Sequence, residues 1–471
     1  MLKLQKLTPL LAALILAGCA APAFQQPAVE IPAAFKEAPQ QGQWKPAEPA
    51  EAQARGEWWK VFNDRTLDEL IAEAAAANQN LAGAAARVKQ ARALAGVAQA
   101  DRIPQVGLGA GAQRGAASSA SLGLPQGSSV ATNNLFQASL GASYEIDLFG
   151  RVASNVSAAQ ADAAASEATF RSVLLALQAD VAQTWFRLRA ADAELGLLRD
   201  TVRLREENVR INARRFELGD IGELDLARAR TELATTKSEA IAMERSRAQL
   251  EHALAILLGK PAGAFAAASA PLEESSAMPA IPAGLPSSLI ERRPDIAAAQ
   301  RAMIAANARI GVARAARFPV LALTGAGGAE SADLSDVFRW SSRSWLLGAA
   351  LSLPLIDGGR GRNNVLRSEA ALEEAVAAYR QQVLGAFGEV EDNLVGLRTL
   401  GGQAAAIEDA VVSARRSADL AEKLYRSGRS GYLELLDAQR NLASAERTAV
   451  QLRGARATTT VALIRSLGGG W

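Results

Sequence analysis

The stretch FQASLGASYEID, residues 136–147, alternates two kinds of side chain without a break. One face of an extended segment carries small or apolar residues: Phe136, Ala138, Leu140, Ala142, Tyr144 and Ile146. The other face carries mainly polar ones: Gln137, Ser139, Gly141, Ser143, Glu145 and Asp147. A period of two predicts a β-strand, either half-buried in an antiparallel sheet or in the wall of a membrane barrel.

Three further stretches show related alternation: VGLGAGA after Pro104, VLALTGAGG after Pro319 and WLLGAALSL at 345–353. We therefore predict four strands, at about 103–113, 136–147, 318–328 and 344–355. Each is close to the roughly 9 to 11 residues of a tilted transmembrane strand. The Gly-, Ser- and Asn-rich segments between the members of each pair are predicted to be surface loops.

Four such strands cannot close a barrel by themselves, because about eight are the minimum for a filled interior. Lipid does not tolerate an open sheet edge. The sequence therefore implies either a barrel shared between several chains or strands that lie outside the membrane. Only the shared barrel also explains the small residues and the lipoprotein signal described below.

The chain contains an internal repeat. GVAQADRIP at 96–104 returns as GVARAARFP at 311–319, and the turn Gly219-x-x-Gly222 returns as Gly428-x-x-Gly431. The repeat predicts two homologous halves, 58–260 and 286–471, joined by a linker at 261–285. Each half is predicted to contain a helix, two strands, a long helix, a glycine turn and a last helix. The long helices are placed at about 150–218 and 359–428, and the last helices at about 221–258 and 431–467.

Apolar residues recur every seven positions along both long helices, which predicts supercoiled helix pairs. The first series is Leu174, Val181, Leu188, Leu195, Val202, Val209 and Phe216. The second series is richer in alanine: Val383, Val390, Leu397, Ala404, Val411, Ala418 and Tyr425.

The N-terminus, MLKLQKLTPLLAALILAGC, combines two lysines with an apolar run too short to span a bilayer. It predicts a signal peptide at 1–18, and it resembles a bacterial lipoprotein signal with Cys19 as the lipidated first residue of the mature chain. Cys19 is the single cysteine, so a disulfide within one chain is excluded. An extended arm rich in Pro, Gln and Ala is predicted at 19–57.

Composition and motifs argue against several function classes. The net charge of +2 over 471 residues has no basic block, so nucleic acid is not predicted as a partner. His252 is the single histidine, so a site of the Cys/His zinc type is excluded, and we predict no metal or other cofactor. There is no GxxxxGK[ST] phosphate loop and no nucleophile motif, so we predict that the protein is not an enzyme.

Six stretches, in this order along the chain, resemble the outer-membrane factors, the TolC-like exit ducts, and in particular their NodT-like lipoprotein branch. They are EWWKVFNDRTLDELIAEAAAANQNL at 57–81, YEIDLFGR at 144–151, LLGKP at 257–261, LPSSLIERRPDIAAAQ at 285–300, LPLIDGGR at 353–360 and YLELLDAQ at 432–439.

The resemblance implies a mostly α-helical homotrimer in which four strands from each chain form one twelve-stranded transmembrane β-barrel, continued by a periplasmic α-helical barrel. It implies an outer-membrane location with palmitate among the lipids at Cys19, contact with outer-membrane lipid, and passive export of small molecules such as drugs. A periplasmic adaptor and an inner-membrane RND transporter are the implied partners. Type I protein secretion and a non-conducting structural lipoprotein remain as alternatives.

The resemblance also assigns roles to residues around the glycine turns. It places a periplasmic gate at Asp225, Tyr425, Arg429, Leu433, Glu434 and Asp437, with Asp225 accepting a hydrogen bond from Tyr425 or pairing with Arg429. It places adaptor docking at Gly219, Gly222, Gly428 and Gly431. Structural explanations stay open, because tight turns use glycine and acidic residues favour a helix N-terminus.

Overall fold

The computed structural model describes residues 23–28, 32, 34–37, 56–273, 279, 281 and 292–470. Cys19, the predicted signal peptide and most of the predicted arm lie outside the described residues. The helices are α1 (Arg65–Ala77), α2 (Gln79–Ala100), α3 (Arg151–Glu217), α4 (Glu223–Leu257), α5 (Pro294–Ala315), α6 (Arg360–Arg426) and α7 (Tyr432–Ser466). The strands are β1 (Gln105–Gly115), β2 (Asn133–Ile146), β3 (Val320–Ser331) and β4 (Arg343–Ser352). The predicted class, mostly helical with four strands, is confirmed.

The described residues divide into two compact units. The sheet unit contains 23–28, 87–167 and 298–379, and therefore all four strands. The hairpin unit contains the described residues of 29–86, 168–297 and 380–471, and therefore both glycine turns. No helix among the described residues has a segment long and apolar enough to cross a membrane.

The strands of the sheet unit form one antiparallel meander in the order β1-β2-β3-β4. All four strands join helices at one end of the sheet, and loops 116–132 and 332–342 connect them at the other, which we call the loop end. Three strand ends differ from the prediction by three residues because pairing sets them. β2 begins at Asn133, which pairs with Gly115, and β3 continues to Ser331, which pairs with Phe136. β4 ends at Ser352, the partner of Val320 at the start of β3, so its predicted extension to 355 is wrong.

The pairing register gives the sheet two chemically different faces, because directly opposed residues project to the same side. Leu108 opposes Leu140, Leu140 opposes Gly327, and Gly327 opposes Trp345. The set sharing this side, the apolar face, is Val106, Leu108, Ala110, Ala112 and Arg114 on β1; alternate residues Asn134 to Ile146 on β2; Leu321 to Ser331 on β3; and Arg343 to Leu351 on β4. The opposite side, the polar face, carries mostly Gly, Ser, Thr, Gln and Glu.

Matching aspartates cap the long helices where the chain leaves the sheet. Asp147 accepts the N–H groups of Val152 and Ala153 at 3.1 and 2.7 Å. Asp357 accepts those of Gly359 and Gly361 at 2.9 and 2.7 Å. The hydrogen bonds from Gly361 and Gly359 lower the pKa of Asp357, so the cap is anionic at neutral pH. The two halves of the repeat therefore use an equivalent aspartate to cap their long helices.

The first helix predicted for the first half is interrupted. A short 3₁₀ turn at Trp58–Phe62 precedes α1, and Asn78 separates α1 from α2 in an extended conformation. The Asn78 side chain accepts the Leu81 N–H at 3.0 Å and donates to the Leu257 carbonyl at 2.9 Å. Asn78 therefore ends one helix, caps the next and holds both against the end of α4.

The middle residues of the α3 heptad series are part of the core of the hairpin unit. Val181, Leu188 and Leu195 are at most 4% exposed. Val181 and Leu188 belong to the same core cluster as the buried Trp58 and Trp59. Phe216, the last member of the predicted series, is instead 41% exposed. The apolar seam therefore stops before the glycine turn.

Polar contacts hold the described part of the predicted linker, 261–273, against α3 and α4. Arg247 donates to Asp192 at 2.6 Å and to the Ala267 carbonyl at 2.8 Å. The Leu272 N–H donates to the Arg189 carbonyl at 3.0 Å. These bonds fix an otherwise irregular segment.

Arg293 is the centre of the ERRPD stretch and only 7% exposed. Its guanidinium donates to Asp295 at 3.0 and 2.6 Å and to Glu389 at 2.6 Å, joining the start of α5 to α6. It also donates to the Ser466 carbonyl at 3.2 Å, at the end of α7. A charge this buried requires such partners.

A short segment of the predicted arm is anchored on α6. Phe35 is 4% exposed and meets the Phe387 ring edge-on, with centroids 6.5 Å apart. The N–H groups of Lys36 and Glu37 donate to the two carboxylate oxygens of Glu391 at 2.7 and 3.0 Å.

Candidate functional site

The two glycine turns have the same hydrogen-bonded geometry. Gly219 and Gly428 have φ of +78° and +72°, a left-handed conformation that favours glycine. In each turn the next residue donates back to the helix: Asp220 to the Arg215 carbonyl and Arg429 to the Leu424 carbonyl, both at 2.9 Å. These are Schellman-type ends, which reverse the chain within a few residues.

The second glycine of each turn has a different role. Gly222 and Gly431 precede α4 and α7 with φ of −78° and −76°, which any residue adopts. Exposed apolar side chains surround the turns: Phe216, Leu218, Leu224, Leu424 and Leu433, which are 38–61% exposed. The turns thus combine an exposed apolar surface with a backbone conformation that is the same in both.

Asp225 and Tyr425, the predicted latch, do not hydrogen-bond to each other within the chain. Asp225 lies in the first turn of α4 and its carboxylate pairs with Arg228 at 3.4 Å. The Tyr425 hydroxyl instead donates to the Asn212 side-chain oxygen at 3.0 Å. Acidic residues are favoured in the first turn of a helix, so the position of Asp225 is explained by α4 itself.

Tyr425 belongs to a buried polar cluster, which we call the tip network. Its members are Arg205, Asn208, Asn212, Tyr425 and Gln439, all 7% exposed or less. Arg205 and Asn208 both donate to the Gln439 side-chain oxygen, at 2.6 and 2.9 Å. The tip network therefore ties α3 to α6 through Tyr425 and to α7 through Gln439.

Two polar groups in or next to the tip network have no hydrogen-bond partner among the described residues. They are the Tyr432 hydroxyl and the Arg205 Nε, both buried. Burial raises the pKa of the Tyr432 phenol and lowers the pKa of the Arg205 guanidinium. A buried polar group without a hydrogen-bond partner costs free energy.

Glu232 and Arg440 form an ion pair between α4 and α7 next to Arg205. The hydrogen bond from Arg440 lowers the pKa of Glu232, so this carboxylate is ionised at neutral pH. Both residues line a polar groove of about 320 Å³, together with Arg205 and Arg447.

The other predicted gate residues lie on the surface of the turn region. Leu433 is 42% exposed, and Arg429 is exposed. Asp437 has a half-exposed side chain at 3.8 Å from Arg440. Glu434 folds back over the start of α7, where a Cβ on Gly431 would meet its carboxylate oxygen at 2.9 Å. That position complements the helix N-terminus, the structural alternative stated above.

Sequence reasoning missed Arg205, Asn208, Asn212 and Gln439. A signal for two of them was present, because a second heptad series lies three residues after the first: Leu177, Thr184, Ala191, Leu198, Arg205 and Asn212. All six are at most 8% exposed. The change from mainly apolar to strongly polar residues at core positions near the turn marks the tip network.

No group of three or more His, Cys, Asp or Glu side chains in the described part of the chain is arranged to hold a metal ion. His252 is exposed on α4.

Comparison of the sequence with known protein families and curated proteins identifies the family of this chain. The outer membrane efflux protein family matches residues 70–260 and 285–469. The cation efflux system protein CusC of Escherichia coli O6:H1 is 34% identical over 467 residues, covering 99% of each chain. The toluene efflux pump outer membrane protein TtgC of Pseudomonas putida is 34% identical over 464 residues, covering 98% of this chain and 94% of the relative.

Solved structures agree with these matches. The CmeC outer membrane channel of Campylobacter jejuni superposes with a TM-score of 0.88 at 26% identity, covering 96% of this chain and 95% of that one. Family, fold and sequence similarity all extend over nearly the whole chain, and the chain therefore belongs to the outer membrane efflux protein family.

Proposed function

We propose that this outer-membrane efflux protein is the passive exit duct of a tripartite, RND-type efflux system, and that three copies close one twelve-stranded barrel. The observation that carries the barrel is the register of the sheet, which collects the apolar side chains of all four strands on one face. That face suits lipid, and the Gly-, Ser- and Gln-rich face suits a water-filled pore.

The free edges of the sheet support the same proposal. β1 and β4 are the outer strands of the meander, and each has one unpaired edge among the described strands. Lipid does not tolerate such edges, and pairing β1 of one copy with β4 of the next removes all of them.

The proposed gate lies at the glycine turns, with the tip network as its lock within each chain. The Tyr425–Asn212 hydrogen bond joins the second helical hairpin to the first. Asp225, Arg429 and Glu434 are proposed to act between neighbouring copies. Asp437 and Leu433 are exposed where three copies would meet, so they are proposed to form the charged and apolar constriction.

The partners follow from the turns and from the absence of an energy source in the sequence. A periplasmic adaptor is proposed to dock on the turns at Gly219, Gly222, Gly428 and Gly431, where apolar side chains are exposed. The inner-membrane RND transporter supplies the energy, Cys19 carries the lipid anchor, and the chain itself catalyses no reaction.

The cargo is proposed to be small molecules such as drugs. Two relatives equally similar to this chain, both 34% identical, carry names for cation and for toluene efflux. A duct that only conducts does not need a cargo-specific pocket, so the pump selects the cargo.

Conductance in planar bilayers tests the proposal. The purified wild-type trimer is expected to open rarely, and the Asp225→Ala, Tyr425→Phe double variant to conduct more of the time. If neither protein conducts although both remain trimeric, a non-conducting envelope lipoprotein is the better account.

A further inference from the structure

The apolar face of the sheet carries only two charged residues among its described positions, and both are arginines. Arg114 is the last residue but one of β1, and Arg343 is the first residue of β4. Both therefore lie at the loop end of the sheet. The acidic residues of the strands, Glu145 and Glu330, fall on the polar face.

Aromatic side chains flank Arg343. Its guanidinium carbon lies 3.2 Å from the centroid of the Trp340 ring. Trp340 and Trp345 are 77% and 80% exposed, so neither ring is buried in the core of the described chain. A guanidinium stacked on its flat face keeps its N–H groups free in the ring plane, where they can bind a phosphate bidentately.

Neither Arg114 nor Arg343 has a carboxylate within 4.0 Å among the described residues. Arg339, in the same loop, differs because it pairs with Asp336 at 3.0 Å. Arg339 therefore has an ion-pair partner within the loop, whereas the guanidinium of Arg343 remains available to bind an anionic ligand.

We propose that Arg343, Trp340 and Trp345 bind the phosphorylated headgroup of an outer-leaflet lipid of the lipid A class. The chemistry is complementary: phosphate meets the free arginine, the indoles lie at the interface, and the acyl chains lie along the apolar face below. Arg114 of a neighbouring copy joins the site, because β1 and β4 are the two edges that barrel closure brings together. This inference rests on the outer-membrane placement proposed above, with the loop end facing outward.

Native mass spectrometry of the detergent-solubilised trimer, titrated with bisphosphorylated lipid A, tests the site. Arg343→Gln is expected to weaken binding about tenfold, the effect of losing one charge-assisted contact. Arg339→Gln is the matched control and is expected to bind like wild type. The second comparison uses lipid A with both phosphates removed. We expect wild type to bind this lipid no more tightly than Arg343→Gln binds bisphosphorylated lipid A.

Equal binding of the two lipids, or equal losses in Arg343→Gln and Arg339→Gln, would overturn the proposal. If Arg343→Gln does not assemble, Trp340→Leu replaces it, with a smaller loss expected because only the stacking is removed. The two proposals fail differently in this experiment. A trimer that ignores the phosphates removes the lipid site alone, whereas the absence of any trimer removes the shared barrel.

Discussion

Replacing Tyr425 with phenylalanine removes one hydroxyl and tests the tip network as a lock. The hydroxyl donates at 3.0 Å to Asn212, whose side chain is fully buried, so the substitution leaves a buried oxygen without its donor. Such a loss costs about 1–3 kcal/mol. Opening the gate is proposed to break this bond in any case, so the cost falls on the closed state alone. The open population is therefore expected to rise about 5- to 150-fold for each chain.

Tyr432→Phe is the matched control. Tyr432 lies beside Tyr425, with ring centroids 5.9 Å apart, and is also buried, but its hydroxyl has no hydrogen-bond partner in the described part of the chain. Removing an unpartnered buried hydroxyl does not destabilise the closed state. Single-channel recording in planar bilayers is expected to show frequent opening for Tyr425→Phe and wild-type behaviour for Tyr432→Phe.

Two results would refute the reasoning: wild-type opening in Tyr425→Phe, or the same increase in both variants. A double-variant cycle sharpens the test. If the Tyr425–Asn212 bond is the cause, Asn212→Leu combined with Tyr425→Phe increases opening by less than the product of the two single effects.

Three stability predictions concern the parts that support the site. Arg293→Met is expected to cost about 1–3 kcal/mol in thermal or denaturant unfolding, because it removes the guanidinium that bonds the partly buried Asp295 carboxylate. Arg339→Met, which breaks an exposed pair, is expected to cost about 0–1 kcal/mol. Burial opposes ionisation of Asp295, but the hydrogen bond and charge of Arg293 outweigh it and lower its pKa. The ionised Asp295 therefore contributes fully to stability above its unfolded pKa of about 3.9, and this contribution is lost as the pH falls through the lower folded pKa. In Asp295→Asn the free energy of unfolding is expected to depend less on pH in this acidic range. Gly219→Ala is expected to lower the unfolding temperature because φ is +78°. Gly222→Ala, at φ −78° with open space around its Cβ, is expected not to lower it.

Periodic features of the fold were predictable because they repeat many times. Alternation along residues 136–147 was sufficient to assign the two faces of β2, and the register then extended both faces across the sheet. Heptads likewise predicted the long helices. Strand ends were less predictable, since they depend on whether a partner residue exists across the ladder, as Ser352 shows.

The side-chain pairings of the site were harder to predict. Asp225 and Tyr425 are both at the turns, but sequence spacing does not tell which of several polar residues on a facing helix is within reach of a hydroxyl. In the structure the Tyr425 hydroxyl donates to Asn212 of α3, and Asp225 pairs with Arg228 of its own helix. Interruption of the first helix at Asn78 was missed for a similar reason, because its partner is the distant Leu257 carbonyl.

The central claim is that three copies share one barrel, and the mass of the mature protein extracted from outer membranes in mild detergent tests it most directly. We expect a particle of three chains, each carrying a lipid at Cys19. A protein that stays monomeric across several detergents would contradict it, because four strands with two open edges cannot form a pore alone.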